Sequence, residues 1–392
     1  MDIKERPIDP KTHSYSRPAQ AFQQRLQTEL ASLRDQDRFR NLRPRQGLDL
    51  SSNDYLGLSD HPQIRQALIL ALEQGIPAGA TGSRLLRGNT RWHEDMETRL
   101  ARFKNSEAAL IFNSGYAANM GVLSTLCGPE DTVFSDALNH ASLIDGIRAS
   151  KARKVIFPHN DTQNLEQALA IHQGDNKFIV VESLYSMDGD TAPLQQLAVL
   201  ADRYNAMLIV DEAHATGLYG QHGAGLCAAA GVVPLVAVHT GGKAWGSTGA
   251  FISCSSVVKD YLVNRCRHLI FTTAPPPLVT VQWHAALDVI ETEPWRATRA
   301  LGLADSFRQA MRGYANTSHS NSQIVPLICG SDRDALSAAA QCVALGFDIR
   351  AIRPPTVPKG SARLRLAFNA HLSEADTDRL IDGCRTIFKG CV

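Results

Sequence analysis

Between His239 and Gly249 a single lysine, Lys243, lies inside a glycine-rich turn that follows the apolar run Val232 to Val238. An ammonium at the end of a buried strand is costly unless it is paired, neutral or covalently used. Glycines beside it let backbone approach a bound group closely. Those properties suit an amine that forms a Schiff base with an aldehyde. A surface turn with an ordinary lysine gives the same local pattern, so the turn needs a partner to carry meaning. Upstream, the apolar run Met207 to Val210 ends in Asp211-Glu212-Ala213-His214. A carboxylate placed there is expected to be buried and to demand a cation, unless it caps a helix or simply pairs with His214.

The elements that must position these groups follow a repeating strand, loop, helix order. Ala108 to Phe112, Thr132 to Phe134, Lys154 to Phe157, Phe178 to Val181 and Met207 to Val210 are predicted strands, with helical segments between them. Such alternation predicts an α/β fold with a mostly parallel central sheet covered by helices, and a smaller C-terminal α+β domain. Boundaries are placed at 1–58 (N-terminal arm and helix), 59–291 (large domain) and 292–392 (small domain). Residues 1 to about 20 read as a poorly ordered arm. Phe22, Leu26, Leu30 and Leu33 recur at helical spacing, and Asp60 is placed as the cap of a helix with Pro62 in its first turn. Gly75 to Thr90 reads as an aperiodic, glycine-rich loop of functional or interfacial type. A long helix is expected from Ser256 towards Leu269, with Pro275-Pro276-Pro277 stopping regular structure. The tail is read as a strand at Ile324 to Ile328, a helix at Asp332 to Leu345, strands at Phe347 to Ile352 and Arg363 to Phe368, and a capped helix from Ser373.

In open α/β sheets ligands sit beyond the carboxyl ends of the strands. Gly115, Tyr116, His140, Ser186, Asp211, His214, Thr240 and Lys243 are all predicted there. Pyridoxal 5'-phosphate needs this set: a lysine for its aldehyde, a carboxylate for its ring nitrogen, helix-terminal donors and hydroxyls for its phosphate, and a flat partner for its ring. Taken singly each residue has a plainer reading. His214 can be a satisfied core histidine, Gly115-Tyr116 a strand-to-helix turn, Thr240 and Ser186 local turn formers, and His140 the first residue of a helix. Asp-x-x-His followed by Thr-x-x-Lys-x-x-Gly is the more specific signal.

Composition excludes several classes. The 392 residues carry a net charge of +1, which points to neither a nucleic-acid nor an acidic-membrane partner. No apolar stretch reaches membrane-span length, and the N-terminus has no signal-peptide core. The eight cysteines are scattered without CxxC spacing, which suits reduced thiols in a cytoplasmic protein and no metal site. Gly242-Lys243 is not a phosphate-binding P-loop, because Ala237 stands where a glycine is required and Ala244 follows the lysine. No GxGxxG opens a helix after a strand, and there is no GxSxG elbow.

The motifs Ser52-Asn53-Asp54-Tyr55-Leu56-Gly57, Gly82 to Thr90, Ser114 to Asn119, Asn139-His140-Ala141-Ser142, Ser186 to Asp190, Asp211 to His214 and Thr240 to Lys243 together resemble the α-oxoamine synthases, a family of fold-type I pyridoxal phosphate enzymes. The resemblance spans Leu50 to about Asn369. It implies a decarboxylative condensation of an amino acid with an acyl thioester. The segment Ile352 to Arg365 is most similar to members that use L-alanine and a pimeloyl thioester, on coenzyme A or acyl carrier protein, in biotin biosynthesis. By that resemblance Lys243 bonds the cofactor aldehyde, Asp211 pairs with its ring nitrogen and His140 stacks on its ring. Gly115, Tyr116, Ser186, His214 and Thr240 complete the cofactor site, and Arg40, His140, Thr356 and Arg365 face substrate, Arg365 through the amino-acid carboxylate. It also implies a homodimer with sites at the subunit interface. Glycine C-acetyltransferase, 5-aminolevulinate synthase, serine palmitoyltransferase and a non-catalytic homologue are the alternatives. Gly241 and Trp245 depart from the residues usual beside the lysine.

Overall fold

The computed structural model describes residues 15–172 and 175–389. Most of the predicted N-terminal arm lies outside the described residues. The strands, in chain order, are β1 (Leu48–Asp49), β2 (Ala108–Phe112), β3 (Thr132–Asp136), β4 (Arg153–Phe157), β5 (Lys177–Glu182), β6 (Ala206–Asp211), β7 (Val236–Thr240), β8 (Ala250–Cys254), β9 (Ile324–Gly330), β10 (Phe347–Asp348), β11 (Ala351–Ile352) and β12 (Ala362–Ala367). Seven form one sheet in the order β2-β8-β7-β6-β5-β3-β4. Only β8 runs against its neighbours, so the sheet is parallel apart from one inserted strand.

Period-two alternation sends successive side chains to opposite faces. Along β2, Ala109 and Ile111 join a core containing Tyr55, Trp245 and Trp283, whereas Leu110 and Phe112 join one containing Val122, Leu123 and Ile147. Helices therefore cover both faces, which is why the central strands are apolar throughout. At about 25 cal/mol per Å² of apolar area removed from water, a sheet buried on both sides supplies most of the drive to fold.

A second, antiparallel sheet, β11-β12-β9, sits under the helices Asp332–Ala344 and Glu374–Ile387 with its own core. The latter helix opens on the capping box Ser373/Asp376. β1 pairs in parallel with β10, and the amide of Ala367 donates to the carbonyl of Leu50 at 2.8 Å. The loop Ser51 to Gly57 is thereby held between the two sheets.

Five local expectations change. Pro277 does not stop regular structure; it opens the helix Pro277–Thr292, because a proline at the first helical position loses no hydrogen bond. That helix buries Val279, Trp283, Leu287 and Ile290. The helix expected from Ser256 to Leu269 breaks at Cys266, whose extended backbone divides Ser256–Arg265 from Arg267–Ile270. His61, not Asp60, is the N-cap ahead of Pro62, without a side-chain capping bond. Phe347 to Ile352 is two short strands in different sheets, and Gly75 to Thr90 contains one π-helical turn, Arg84–Gly88. The helix Arg17–Asp35 carries the predicted stripe, but Phe22, Leu26, Leu30 and Leu33 are all exposed and none of its residues is buried.

Candidate active site

Asp211 ends β6, flanked in register by Glu182 on β5 and Val238 on β7. It is 7% exposed. Its carboxylate accepts from the Asn119 side-chain amide at 2.7 Å and from the Ala213 backbone at 2.8 Å. Both donors are neutral, so among the described residues this buried carboxylate has no hydrogen-bonded cation. Three residues on, His214 turns back towards the lysine.

Lys243 lies in the connection from β7 to β8. That connection is a closed turn: Gly241 N–H donates to Gly249 O at 2.9 Å, Ser247 to Gly241 O at 2.8 Å, and Gly246 to Lys243 O at 2.9 Å. Gly246 has φ +60°, and a Cβ there would lie 2.3 Å from the Ser59 amide nitrogen, so glycine is required. The glycine at 241 is explained by Trp283: an added Cβ would fall 2.6 Å from its indole nitrogen, which donates to Thr248 O at 3.1 Å. Trp245 is fully buried and meets the Trp283 ring edge-on at 5.9 Å.

Lys243 Nζ lies 2.7 Å from His214 Nε2, and His214 Nδ1 lies 2.7 Å from the Tyr55 hydroxyl. Burial, and then the positive charges of Lys243 and Arg365, hold the imidazole well below its usual pKa, so it is neutral. Burial also lowers Lys243, to about 8, against the opposing pull of Asp211 and Glu182. Glu182 is raised to about 8 by burial and by Asp211, and its carboxyl accepts from the His140 amide at 2.6 Å. His140 caps the helix Ala141–Ser150, its Nδ1 2.8 Å from the Ser142 hydroxyl, which in turn accepts from Asn119 at 2.9 Å. Burial and Lys243 lower the His140 pKa while Asp211 raises it, so these three groups share one electrostatic site.

Gly115 and Tyr116 open the helix Gly115–Leu126, capped by Ser114. Their amides precede the first intrahelical bond and have no acceptor among the described residues, which makes an anion site at the positive end of the helix dipole. A Cβ on Gly115 would come within 3.9 Å of the Thr240 hydroxyl, which therefore borders the same site. The Tyr116 hydroxyl bonds Asp145. Ser186 enters through its carbonyl, which accepts from Arg365 Nε at 2.5 Å. Arg365 also donates to Asn53 Oδ1 at 3.0 Å and to the Tyr55 hydroxyl at 3.3 Å. It is 7% exposed and bonds no carboxylate among the described residues, an arrangement that suits binding of an incoming one.

Arg40 and Thr356 meet each other, 3.2 Å apart, across 316 positions of chain. Neither has a hydrogen bond to the Lys243, His214 and Asp211 group among the described residues. Asn53, Tyr55, Asn119 and Glu182 were not singled out as site residues from the sequence. Asn53 and Tyr55 stand inside a quoted motif, so that motif was their signal. Asn119 also ends a quoted motif, Ser114 to Asn119, although its partner Asp211 is 92 positions away; Glu182 acts through a partner 42 positions away, which no local spacing reveals.

A second network fixes the loops around the site. His159 lies 2.9 Å from Asp136, at the end of β3, and 2.8 Å from Asp190, which closes the Ser186 loop. Burial lowers its pKa, but the bonds and charges of Asp136 and Asp190 prevail and raise it to about 10. A raised folded-state pKa adds stability that is fully present below the unfolded value of about 6.5 and is lost as pH rises through about 10. His159→Leu should therefore cost about 3 kcal/mol at pH 6. Its deficit relative to the parent should shrink above pH 10 in urea-denaturation curves. A deficit that does not vary with pH would refute the charge assignment.

The model of the Aminotransferase class I and II family matches residues 45–383. The chain belongs to that family. This family member is 42% identical over 382 residues to the 8-amino-7-oxononanoate synthase of Geobacter sulfurreducens, spanning 92% of this chain and 97% of the relative. The 8-amino-7-oxononanoate synthase structure from Francisella tularensis superimposes with a TM-score of 0.75 at 26% identity, covering 87% of this chain and 97% of that one. Serine palmitoyltransferase from S. paucimobilis, solved with bound PLP, superimposes with a TM-score of 0.87 at 27% identity, covering 94% and 97%. The fold is the fold-type I pyridoxal phosphate transferase fold, and the cofactor is pyridoxal 5'-phosphate. The donor set fits it: an amine with lowered pKa, a buried carboxylate lacking a cation, a neutral imidazole, and free helix-terminal amides beside a hydroxyl. No helix among the described residues is long and apolar enough to cross a membrane.

Capture of an aldehyde needs a neutral amine. Loading of the cofactor-free chain with pyridoxal phosphate should accelerate as pH rises towards about 8 and level off above it, followed by absorbance. A rate still climbing at pH 10 would contradict the lowered amine pKa.

Proposed function

We propose that this chain condenses L-alanine with a pimeloyl thioester, releasing carbon dioxide and forming 8-amino-7-oxononanoate, in biotin biosynthesis. The observation that carries this reading is the convergence of Lys243, His214, Asp211 and Arg365 in a chain 42% identical to a synthase of that name. Bound pyridoxal phosphate supplies an electron sink for the charge that develops at the amino-acid Cα.

The chain's own residues divide the remaining work. Arg365 binds the amino-acid carboxylate and fixes which Cα bond faces Lys243. Asn53 and Tyr55 hold that guanidinium in place before substrate arrives. The Lys243 amine, neutral above a pKa of about 8, takes the Cα proton. His214, held by Tyr55, keeps the amine oriented and does not add a second positive charge. Asp211, held by Asn119, would keep the bound cofactor's ring nitrogen protonated. His140, fixed through Ser142, would help hold the ring and exclude water.

A homodimer is part of this reading. The apolar stripe of Arg17–Asp35, fully exposed Leu42, and Leu86 at 80% exposure leave apolar surface that a second copy would cover. Equilibrium sedimentation tests it, and a monomer with full turnover would overturn it.

The function is tested by product analysis with L-alanine, glycine or L-serine against pimeloyl, acetyl, succinyl and palmitoyl thioesters. 8-Amino-7-oxononanoate from alanine and pimeloyl thioester alone is expected. Preference for serine and palmitoyl thioester would replace this reading with the serine palmitoyltransferase one.

A further inference from the structure

We infer that Gln323 is a positioning residue for the reactive amine: through the main chain of His214 it fixes the imidazole that Lys243 meets, and so ties that contact to the antiparallel sheet. This rests on Lys243 being the amine that bonds the cofactor, and adds what orients it from outside its own turn.

Gln323 immediately precedes β9 and is fully buried. An amide side chain taken out of water is costly unless both of its ends are bonded. Here both are. Nε2 donates to the His214 carbonyl at 2.9 Å, across 109 positions of chain. Oε1 accepts from the Tyr219 hydroxyl at 3.1 Å. The partners decide which end is which, because a carbonyl only accepts and must face the NH2 group. Burial raises the Tyr219 pKa, so that hydroxyl keeps its proton and donates. The main chain is tied as well: the Gln323 carbonyl accepts from the Phe368 amide at 2.9 Å, one residue past β12.

The bond matters because of what else holds His214. No backbone amide among the described residues donates to the His214 carbonyl. The other end of the same peptide, the Ala215 amide, donates to Glu212 O at 3.0 Å. Gln323 therefore stops that peptide plane from turning, and the imidazole on the adjoining Cα is stopped with it. The ring is separately gripped at Nδ1 by the Tyr55 hydroxyl, which lies 3.3 Å from Arg365 on β12. The antiparallel sheet thus reaches this histidine at its ring through β12, and at its main chain through the residue ahead of β9. Held at one point the ring could pivot; held at both, its tilt towards Lys243 is set. A misplacement of about 1 Å costs on the order of 10²-fold in rate.

Gln323→Met keeps the length and bulk of the side chain and removes both of its bonds. In the full chain without cofactor, carrying isotope-labelled histidine, the His214 imidazole nitrogen resonances are identified by their loss in His214→Gln. They should move in Gln323→Met. In the loaded enzyme kcat should fall about ten- to a hundredfold. KM for the amino acid should stay within about threefold, because Arg365 keeps its bonds to Asn53 and the Ser186 carbonyl. Unmoved resonances, or an unchanged kcat per bound cofactor, overturn the inference, even where the thermal midpoint drops: Gln323 is then only a tie between the two sheets. If Gln323→Met does not fold, Tyr219→Phe decides, since it deletes only the bond to Oε1. The same two readouts should change in the same direction by less, and no change overturns the inference. If the parent forms no lysine bond to the cofactor, the reading of Lys243 fails, and the resonances of the cofactor-free chain still decide Gln323: moved, they keep it; unmoved, they remove it.

Discussion

Lys243→Ala should lower turnover by about 10⁴-fold, because in the proposed reading one residue both bonds the cofactor and moves the Cα proton. The geometry explains why nothing nearby substitutes. His214, 2.7 Å away, is the nearest basic group, but burial, the largest cause, and the Arg365 charge that remains in the variant still hold its pKa down. With the amine gone, Tyr55 still holds the imidazole at 2.7 Å, in an orientation set for the lysine and not for substrate. The readout is release of free thiol from the acyl carrier, together with loss of the visible absorbance that the lysine bond to the cofactor gives. A variant within tenfold of the parent would remove the assignment. Small amines added to the variant should restore some turnover, which a merely structural role for Lys243 would not allow.

Asp211→Asn should reduce turnover on the order of 10³-fold with the fold intact. The substitution keeps the shape and removes the charge, and breaking a buried charge pair costs about 3–5 kcal/mol, a factor of roughly 10² to 10³·⁵ in rate. Asn119 remains in reach of the new side chain, so the local structure should persist. Cofactor affinity, measured by equilibrium dialysis, should weaken as well. Normal turnover would mean that the carboxylate is structural. Loss of activity with an altered thermal midpoint but unchanged cofactor affinity would point the same way.

Much of the sheet was legible because its strands are short apolar runs punctuated by glycine and polar turns. Lys243, Asp211 and His214 were legible for the same reason: polar groups at the tips of such runs have few cheap reasons to be there. The helix Pro277–Thr292 was not, since three prolines in a row mark an end and a beginning equally well, and only the burial of Val279, Trp283, Leu287 and Ile290 decides between them. Asn119 closes the quoted motif Ser114 to Asn119, but its part in the site shows only when Asp211 is placed opposite it. The exposed stripe Phe22, Leu26, Leu30 and Leu33 shows the converse: periodicity identified the helix Arg17–Asp35 correctly and says nothing about which surface covers it. Arg40 and Thr356, brought together across most of the chain, came from resemblance alone; neither position has a local pattern that announces its role.

The turn bearing Lys243 has one more consequence. Because its two ends are tied into adjacent strands of the same ladder, the freedom of the reactive arm is given up when the chain folds and not when a ligand arrives. Cofactor and amino acid thus meet an amine whose backbone is already in register with its partners, and the affinity they show carries no surcharge for ordering it.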